Sequence, residues 1–248
     1  MGNDIHREIW QSLGASDPDW SVLTTKRMRG GGWTKNMEAF YATGRSDFAD
    51  VVSASPEPRY EHALDWGAGT GRLSFALAEH FERVTSIDVA DTMLALLAQR
   101  ADERGVTNVA PTHLDAFRPD GTVDLALSLL VLQHLPNNEA IDYALRKMVQ
   151  ALRPGGLICV EIPASALTVK TRLQPHFQAY RLLRHLGLPA STLQARGLSG
   201  ISMLWCSEEH VRGVLESAGA EVVNVVERPG RGYRFLRYIG RRRGLESS

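Results

Sequence analysis

A loop rich in glycine carries the first residues of the chain that suggest chemistry. A short apolar run ends at Asp65, and three glycines follow at alternate positions, Gly67, Gly69 and Gly71. Residues without a Cβ atom tolerate positive φ angles and let a ligand lie against the backbone, and the start of a helix offers unpaired N–H groups. The stretch predicts a strand, a nucleotide-cradling loop and a helix. An ordinary strand-to-helix turn is the alternative.

The glycine spacing and a second acid refine the kind of nucleotide. The loop reads G-x-G-x-G, whereas dinucleotide sites require G-x-G-x-x-G. Asp88 ends a predicted strand over 84–88, about twenty residues beyond the loop, where nucleotide folds place their ribose ligand. Its carboxylate would accept from both ribose hydroxyls. The alternative is a cap for a helix predicted over 92–104, a role that suits Asp91 better.

Three stretches together resemble the class I S-adenosylmethionine-dependent methyltransferases of the small-molecule type. Asp65 and the glycine loop are similar to the first motif of that family, E/D-x-G-x-G-x-G. Asp124 and Ser128 match D-x-x-x-S, and the segment LQHL at 132–135 matches the L-x-H-L that follows it. The LRPGG sequence at 152–156 is a further signature. The resemblance covers 60–240, with one interruption.

The resemblance implies S-adenosylmethionine as the cofactor. The binding residues that it implies in the domain are Asp65, Gly67, Ala68, Gly69, Asp88, Val89, Asp115, Ala116 and Ser128. In this family an acid after the third strand accepts from the adenine amino group, and the next backbone N–H reaches a ring nitrogen. Asp115 and Ala116 occupy those positions, although Asp115 can also be an ordinary loop residue.

An N-terminal arm over 1–59 supplies two more candidates. In similar methyltransferases such an arm closes over the carboxylate of the cofactor. Tyr41 and Arg45 are the best candidates for this contact, because an arginine binds a carboxylate through two hydrogen bonds. The arm is expected to be helical in part, with a candidate helix over 36–42, and to contain much loop. Its aromatic residues can equally serve to anchor it to the domain.

Methyl transfer from a sulfonium requires few catalytic groups. The reaction is a direct displacement, so positioning dominates, and a hydroxyl acceptor must also lose a proton. His134 lies just past the fourth strand and can accept a proton near neutral pH. It can instead pack or cap the next helix, and His176 and His185 are weaker candidates. O-methylation is the first expectation and N-methylation the second.

The elements that must position these residues predict an α/β fold, a doubly wound, Rossmann-like sheet of seven strands with helices on both faces. The methyltransferase domain is predicted over 60–240. Expected strands include 108–113, 157–162, 221–226 and 233–239, with helices at 139–152 and from 207 to about 218. A basic tail over 241–248 would follow.

The one interruption, 163–205, is predicted to be a lid after the fifth strand. It holds no acidic residue between positions 163 and 200, and Leu173, Phe177, Tyr180 and Leu183 share one helical face. Together with the arginines near the C-terminus, including Arg231, it suggests an anionic small-molecule acceptor. A solvated basic face is the alternative.

Composition excludes several other classes. The 248 residues carry 28 basic and 28 acidic side chains, so no overall charge favours nucleic acid or an acidic membrane. Nucleic acid is also unlikely because the N/D-P-P-Y/F motif is missing after the fourth strand. No metal is expected, since carboxylates do not cluster there. Two cysteines and the absence of a long apolar run predict a cytoplasmic protein. The oligomeric state stays open. A nicotinamide-dependent oxidoreductase and a non-catalytic cofactor-binding protein are the rivals.

Overall fold

A seven-stranded sheet forms the centre of the molecule. The computed structural model describes residues 2–230 and 232–244, apart from positions 190, 191, 194, 195, 197 and 199. The strands are β1 His62–Trp66, β2 Arg83–Asp88, β3 Val109–His113, β4 Val123–Ser128, β5 Leu152–Ala166, β6 Ala220–Arg228 and β7 Tyr233–Arg242. Their order is β3-β2-β1-β4-β5-β7-β6. β1 to β5 pair in parallel, and β7 is antiparallel to both neighbours. The predicted α/β fold class is confirmed.

Helices cover both faces of the sheet. They are α1 Gly2–Ser16, α2 Pro18–Val22, α3 Met37–Ala54, α4 Arg72–Ala78, α5 Asp91–Arg104, α6 Asn138–Ala151, α7 Val169–Leu173, α8 Pro175–His185 and α9 Glu208–Ser217. Apolar residues of α6 and α9 pack on one face of the sheet, and those of α3 and α4 pack on the other. The central strands β1 and β4 are therefore buried along their whole length.

The N-terminal arm is helical, and its helices are longer than the one segment located from the sequence. α1 has 15 residues and α3 has 18, whereas the sequence located a helix only at 36–42. In α1, Ile9 and Leu13 are four positions apart and both buried, which is the spacing of an inward helical face. Tertiary burial stabilises these helices where local propensity is weak.

A buried aspartate fixes the arm to the domain. Asp19 in α2 is fully buried and accepts hydrogen bonds from Arg100 Nη1 at 2.6 Å and Nη2 at 2.9 Å. Its Oδ1 also accepts from the hydroxyl of Thr70, in the glycine loop, at 2.9 Å. Because the carboxylate is paired and hydrogen-bonded, its burial is tolerated. α2 is thus joined to α5 and to the loop.

Three local predictions differ from the structure. β5 begins at Leu152, before the predicted 157, because Leu152 already pairs with Val123 of β4. The face predicted to run from Leu173 to Leu183 is broken at Gln174, whose φ is 47°, so α7 and α8 are separate helices. Gln174 instead exchanges two hydrogen bonds with the backbone of Met203. The third concerns Asp91, which is the first residue of α5 and not its cap.

Candidate functional site

A cavity of about 590 Å³ opens at the carboxyl ends of β1, β2 and β4. This edge is where ligands bind in open α/β sheets. Its wall includes eight of the residues predicted from the sequence: Asp65, Gly67, Ala68, Gly69, Asp88, Val89, Asp115 and His134. Segments distant in sequence therefore meet around one space, although their roles stay predictions.

The glycine loop turns sharply against the segment that follows β4. Gly67, Gly69 and Gly71 have φ values of 83°, 52° and 94°, in the left-handed region that favours glycine. The N–H groups of Gly67 and Ala68 both donate to the carbonyl of Ile87 at 2.8 Å. A Cβ atom on Gly67 would lie 2.4 Å from Val131 Cγ1. Only glycine allows this turn and this contact together.

The carboxylate of Asp88 holds the same loop in place. Its Oδ2 accepts from the N–H of Gly69 at 2.8 Å, and its Oδ1 accepts from the N–H of Ala90 at 2.9 Å. Burial raises the pKa of Asp88, while these backbone N–H groups lower it. Ala90 immediately precedes α5, so this bond also fixes the start of that helix. Asp88 thus fixes the loop and lines the cavity.

Asp65 lies buried beneath the loop. Its Oδ2 accepts from the hydroxyl of Ser74 at 2.7 Å, and Ser74 in turn accepts from the hydroxyl of Ser86 at 2.9 Å. Burial raises the pKa of Asp65 to about 6, against which the Ser74 bond and the charge of Arg72 act only partly. A carboxylate in this position would be stabilised by a positively charged ligand group.

His134 is held as a neutral imidazole. Its Nδ1 lies 3.1 Å from the carbonyl oxygen of Ser202, which can only accept, so Nδ1 carries the proton. Nε2 is then unprotonated, with the amide nitrogen of Gln133 at 3.5 Å. Burial lowers the pKa of His134 to about 4, the bond to Ser202 opposing it in part. At neutral pH the ring therefore offers the lone pair of Nε2, towards which the Gln133 amide donates.

Helix α1 of the N-terminal arm covers the cavity, through residues that were not among the candidates named from the sequence. His6, Arg7 and Trp10 all belong to its wall. Arg7 Nη2 donates to Asp115 Oδ2 at 2.7 Å, and the Trp10 ring centroid lies 6.0 Å from that of His134. The signal in the sequence was the four-residue spacing of His6 and Trp10, which matches one face of a helix.

The Nε2 atom of His6 has two neighbours with opposite requirements. It lies 2.7 Å from the carbonyl oxygen of His134 and 2.9 Å from Nε1 of Trp10. A carbonyl only accepts and an indole N–H only donates, so each tautomer of His6 satisfies one of the two. Burial lowers the pKa of His6, which keeps this ring neutral as well.

Four predicted binding residues do not belong to the cavity wall. Tyr41 is buried among Trp33, Phe40 and Phe75, with the Arg104 guanidinium 4.3 Å from its ring centroid. Arg45 instead forms ion pairs with Glu38 and Glu79 on the surface. Ser128 donates to the carbonyl of Trp66 at 2.9 Å, joining β4 to β1. Ala116 is exposed next to Asp115.

The segment that matches a known family contains the elements that form this cavity. Residues 63–156 match the family described as "Methyltransferase domain". This span runs from β1 through the glycine loop, Asp88 and His134 to the beginning of β5. Residues 63–156 of this chain therefore resemble a methyltransferase domain.

Curated relatives resemble the methyltransferase domain over about one hundred residues. The trans-aconitate 2-methyltransferase of Deinococcus radiodurans is 32% identical over 116 residues, which are 47% of this chain and 43% of that protein. The ubiquinone biosynthesis O-methyltransferase of Shewanella halifaxensis is 33% identical over 103 residues, 40% of this chain and 42% of that protein. The chain thus spans less than half the length of these two relatives.

Solved structures share the fold over more of the chain. Magnesium protoporphyrin IX methyltransferase from Synechocystis PCC 6803 with bound SAH has a TM-score of 0.64 at 18% identity, covering 97% of this chain and 99% of that one. The cyclase SpnF has a TM-score of 0.59 at 17% identity, covering 80% of each chain. At these identities the likeness establishes the fold of the domain and its additions.

Further residues of the methyltransferase domain complete the wall but were missed from the sequence. They are Arg72, Leu130, Arg118, Glu139 and Tyr143. Arg72 is 2% exposed and donates to Asp47 at 2.6 Å. Leu130 has a φ of 63°, a conformation that strains a residue with a Cβ atom. A sequence motif does not reveal such strain or the burial of an arginine. None of the described residues in 163–205 lines the cavity, so a covering role for that segment stays a prediction.

Substitution of Gly67 by alanine is expected to destabilise the domain more than an alanine at another left-handed glycine. Both Gly67, with φ 83°, and Gly105, with φ 65°, would be strained by a Cβ atom, about 1 kcal/mol. Only at Gly67 does that atom meet Val131 at 2.4 Å, whereas Gly105 has open space. Urea unfolding should show Gly67→Ala losing at least about 1 kcal/mol more than the control Gly105→Ala. Equal losses would contradict the close-contact argument.

The buried acid and the buried histidine are expected to give opposite pH dependences of stability. The pKa of Asp65 is raised to about 6 in the folded state, so its burial costs stability at neutral pH, and this cost disappears as the pH falls through 6 towards 4. Asp65→Asn should therefore exceed wild type in free energy of unfolding by about 2 to 3 kcal/mol at pH 7.5, with the advantage vanishing near pH 4.

The matched control for this titration is His134→Gln. The folded pKa of His134 is lowered to about 4, so its stability contribution is complete above about 6.5 and is lost as the pH falls towards 4. Relative to its difference from wild type at pH 7.5, His134→Gln should gain about 3 kcal/mol by pH 4. Urea unfolding at several pH values measures both. Parallel profiles for the two variants would refute the opposite assignments.

Proposed function

We propose that this chain is an S-adenosylmethionine-dependent methyltransferase that acts on a hydroxyl group of a small molecule. The observation that carries the proposal is one cavity containing both a glycine loop fixed by Asp88 and an unprotonated His134 Nε2. The first feature suits a nucleoside cofactor. The second suits removal of a proton from an acceptor.

The residues at the loop fit S-adenosylmethionine on physical grounds. Gly67 and Gly69 line the cavity and present no side chain to it, so a ligand can approach the backbone. Asp88 is the last residue of β2, and its carboxylate is suited to accept hydrogen bonds from the ribose hydroxyls. Asp65, with its pKa raised to about 6 by burial, favours a ligand that brings positive charge. The cofactor, when bound, supplies the electrophilic methyl group.

The acceptor chemistry assigned to this chain is proton removal by His134. Its neutral state at physiological pH and its Nδ1–H bond to the Ser202 carbonyl leave Nε2 as the base. A pKa near 4 makes this a weak base, so positioning of the acceptor must contribute most of the rate. Trp10 and His6 from α1 exclude water beside the ring.

A hydroxyl acceptor has more support than an anionic one. One curated relative is named a ubiquinone biosynthesis O-methyltransferase, which supports oxygen as the acceptor atom. The arginines of the cavity wall are already engaged, Arg7 with Asp115 and Arg72 with Asp47, while Arg118 donates to two backbone carbonyls. A carboxylate acceptor is already deprotonated and needs no base, whereas a hydroxyl acceptor does. Dependence of turnover on His134 therefore distinguishes a hydroxyl from a carboxylate acceptor. N-methylation remains the second candidate.

A non-catalytic role is the rival of a different class. The likeness to the cyclase SpnF illustrates that this fold is compatible with activities other than methyl transfer. The proposal therefore needs separate tests for cofactor binding and for transfer.

Calorimetric titration with S-adenosylhomocysteine tests cofactor binding. Wild type should bind, and Asp88→Asn should bind at least about tenfold more weakly, because one charged ribose acceptor is removed. Glu103→Gln on the exposed side of α5 is the matched control and should bind like wild type. Absence of binding to wild type would remove the nucleotide assignment. Equal binding by Asp88→Asn would remove that residue from the site.

Turnover with a labelled methyl donor and a panel of hydroxyl, amine and carboxylate acceptors tests the base. His134→Gln should lower turnover of a hydroxyl acceptor by about 10² or more, the usual contribution of a general base. Its affinity for S-adenosylhomocysteine should stay within about twofold of wild type, since Asp88 and the loop are intact. Unaltered turnover would exclude His134 as the base.

A further inference from the structure

Large apolar side chains are exposed mainly in one short stretch. Among the described residues, five of the seven most exposed large hydrophobics lie between positions 167 and 186: Leu167, Val169, Leu173, Leu182 and Leu186. Their exposed fractions range from 60% to 74%. Single exposed apolar residues are ordinary, but such a concentration within twenty residues marks an interaction surface.

The same stretch is basic. No acidic residue occurs between positions 163 and 200. The exposed positions of α7 and α8 also carry Lys170, Arg172, His176, Arg181 and His185. We name these cations and the five exposed apolar residues the basic apolar surface. This surface therefore combines positive charge with exposed apolar side chains.

The opposite side of these helices is fixed to the molecule. Tyr180 of α8 is 4% exposed, and a Cβ atom on Gly200 would meet both Tyr180 and Ile9 of α1. In α7 the hydroxyl of Thr171 donates to the carbonyl of Gly232 at 2.9 Å. The inner residues thus hold the helices in place, so the outer leucines are not required for packing.

We propose that the basic apolar surface binds the surface of an anionic lipid bilayer. Apolar side chains on a short helix insert at the boundary between headgroups and acyl chains, while lysine and arginine contact anionic headgroups. Within the described residues no helix is long and apolar enough to cross a membrane. The protein lies on the bilayer through α7 and α8.

Charge argues against a second copy of the chain as the occupant. In a two-fold symmetric contact the same surface meets itself, so its cations would face cations. Arg184 of α8, which is not part of the basic apolar surface, has its Nη2 atom 3.9 Å from Oε1 of Glu8 in α1. Since like charges at an interface are repulsive, an anionic bilayer is the complementary occupant.

This surface adjoins the helix that covers the cavity. α8 lies next to α1, because Arg184 Nη2 is 3.9 Å from Glu8 Oε1, and the α1 residues His6 and Trp10 line the cavity. Binding to a bilayer through α8 brings that cover close to the lipid. The proposal concerns membrane contact alone and does not depend on methyl transfer.

Co-sedimentation of the full chain with lipid vesicles tests the proposal. Wild type should bind vesicles containing phosphatidylglycerol at low salt, should bind vesicles of phosphatidylcholine alone at least about tenfold more weakly, and should be released by high salt. The double variant Leu182→Ser with Leu186→Ser should lose about tenfold or more in partitioning. Arg181→Gln should lose about fivefold.

Matched controls lie elsewhere on the surface. Val223 on β6 is an exposed apolar residue, 43% exposed, so Val223→Ser should bind vesicles like wild type. Arg59→Gln removes an exposed charge outside this surface and should change binding by less than twofold. Thermal unfolding checks that all variants fold. No binding of wild type to anionic vesicles, or equal losses for the surface and control variants, would overturn the proposal. Self-association weakened by the same leucine substitutions would assign the surface to a second copy instead.

Discussion

The close contact between Gly67 and Val131 sets the shape of the whole site. It holds the loop after β1 against the segment after β4, and a single added Cβ atom would lie 2.4 Å from Val131. Asp88 fixes the other side of the loop through the N–H of Gly69. Because both contacts depend on positive φ angles, the backbone has little freedom there. Cofactor-facing and base-bearing segments are therefore brought together by packing as much as by sheet topology.

Burial in the cavity shifts the pKa values of Asp65 and His134 in opposite directions. Burial disfavours the charged form, so it raises the pKa of Asp65 to about 6 and lowers that of His134 to about 4. One group thus retains a cost that a cationic ligand would relieve, and the other stays unprotonated at neutral pH. In both cases burial lowers the stability of the folded protein and sets the protonation state that the site requires, as expected where stability and function compete.

The central part of the fold and of the site was readable from the sequence because it depends on local spacing. The glycine loop, the ends of β2 and β4 and Ser207 as the start of α9 are each specified by a few adjacent residues. The contacts of α1 with the cavity could not be predicted from the sequence. Arg7 and Asp115, for example, are separated by 108 positions and meet only through tertiary packing. Gln174 likewise breaks the lid helix because of Met203, a distant partner. Tyr41 and Arg45 had suitable chemistry, but burial and the surface acids Glu38 and Glu79 engage them elsewhere.

The cover has a further consequence for the adenine end of the cavity. Arg7 already occupies Oδ2 of Asp115, the acid that the family resemblance assigns to the adenine amino group. That pair is exposed, with 43% and 64% of the two side chains accessible, so it contributes little stability and can be exchanged at low cost. The buried contacts of α1, Ile9 and Leu13, are unaffected by such an exchange. α1 can therefore remain packed on the domain while Arg7 releases Oδ2 of Asp115. A ligand in the covered cavity can then donate a hydrogen bond to Asp115.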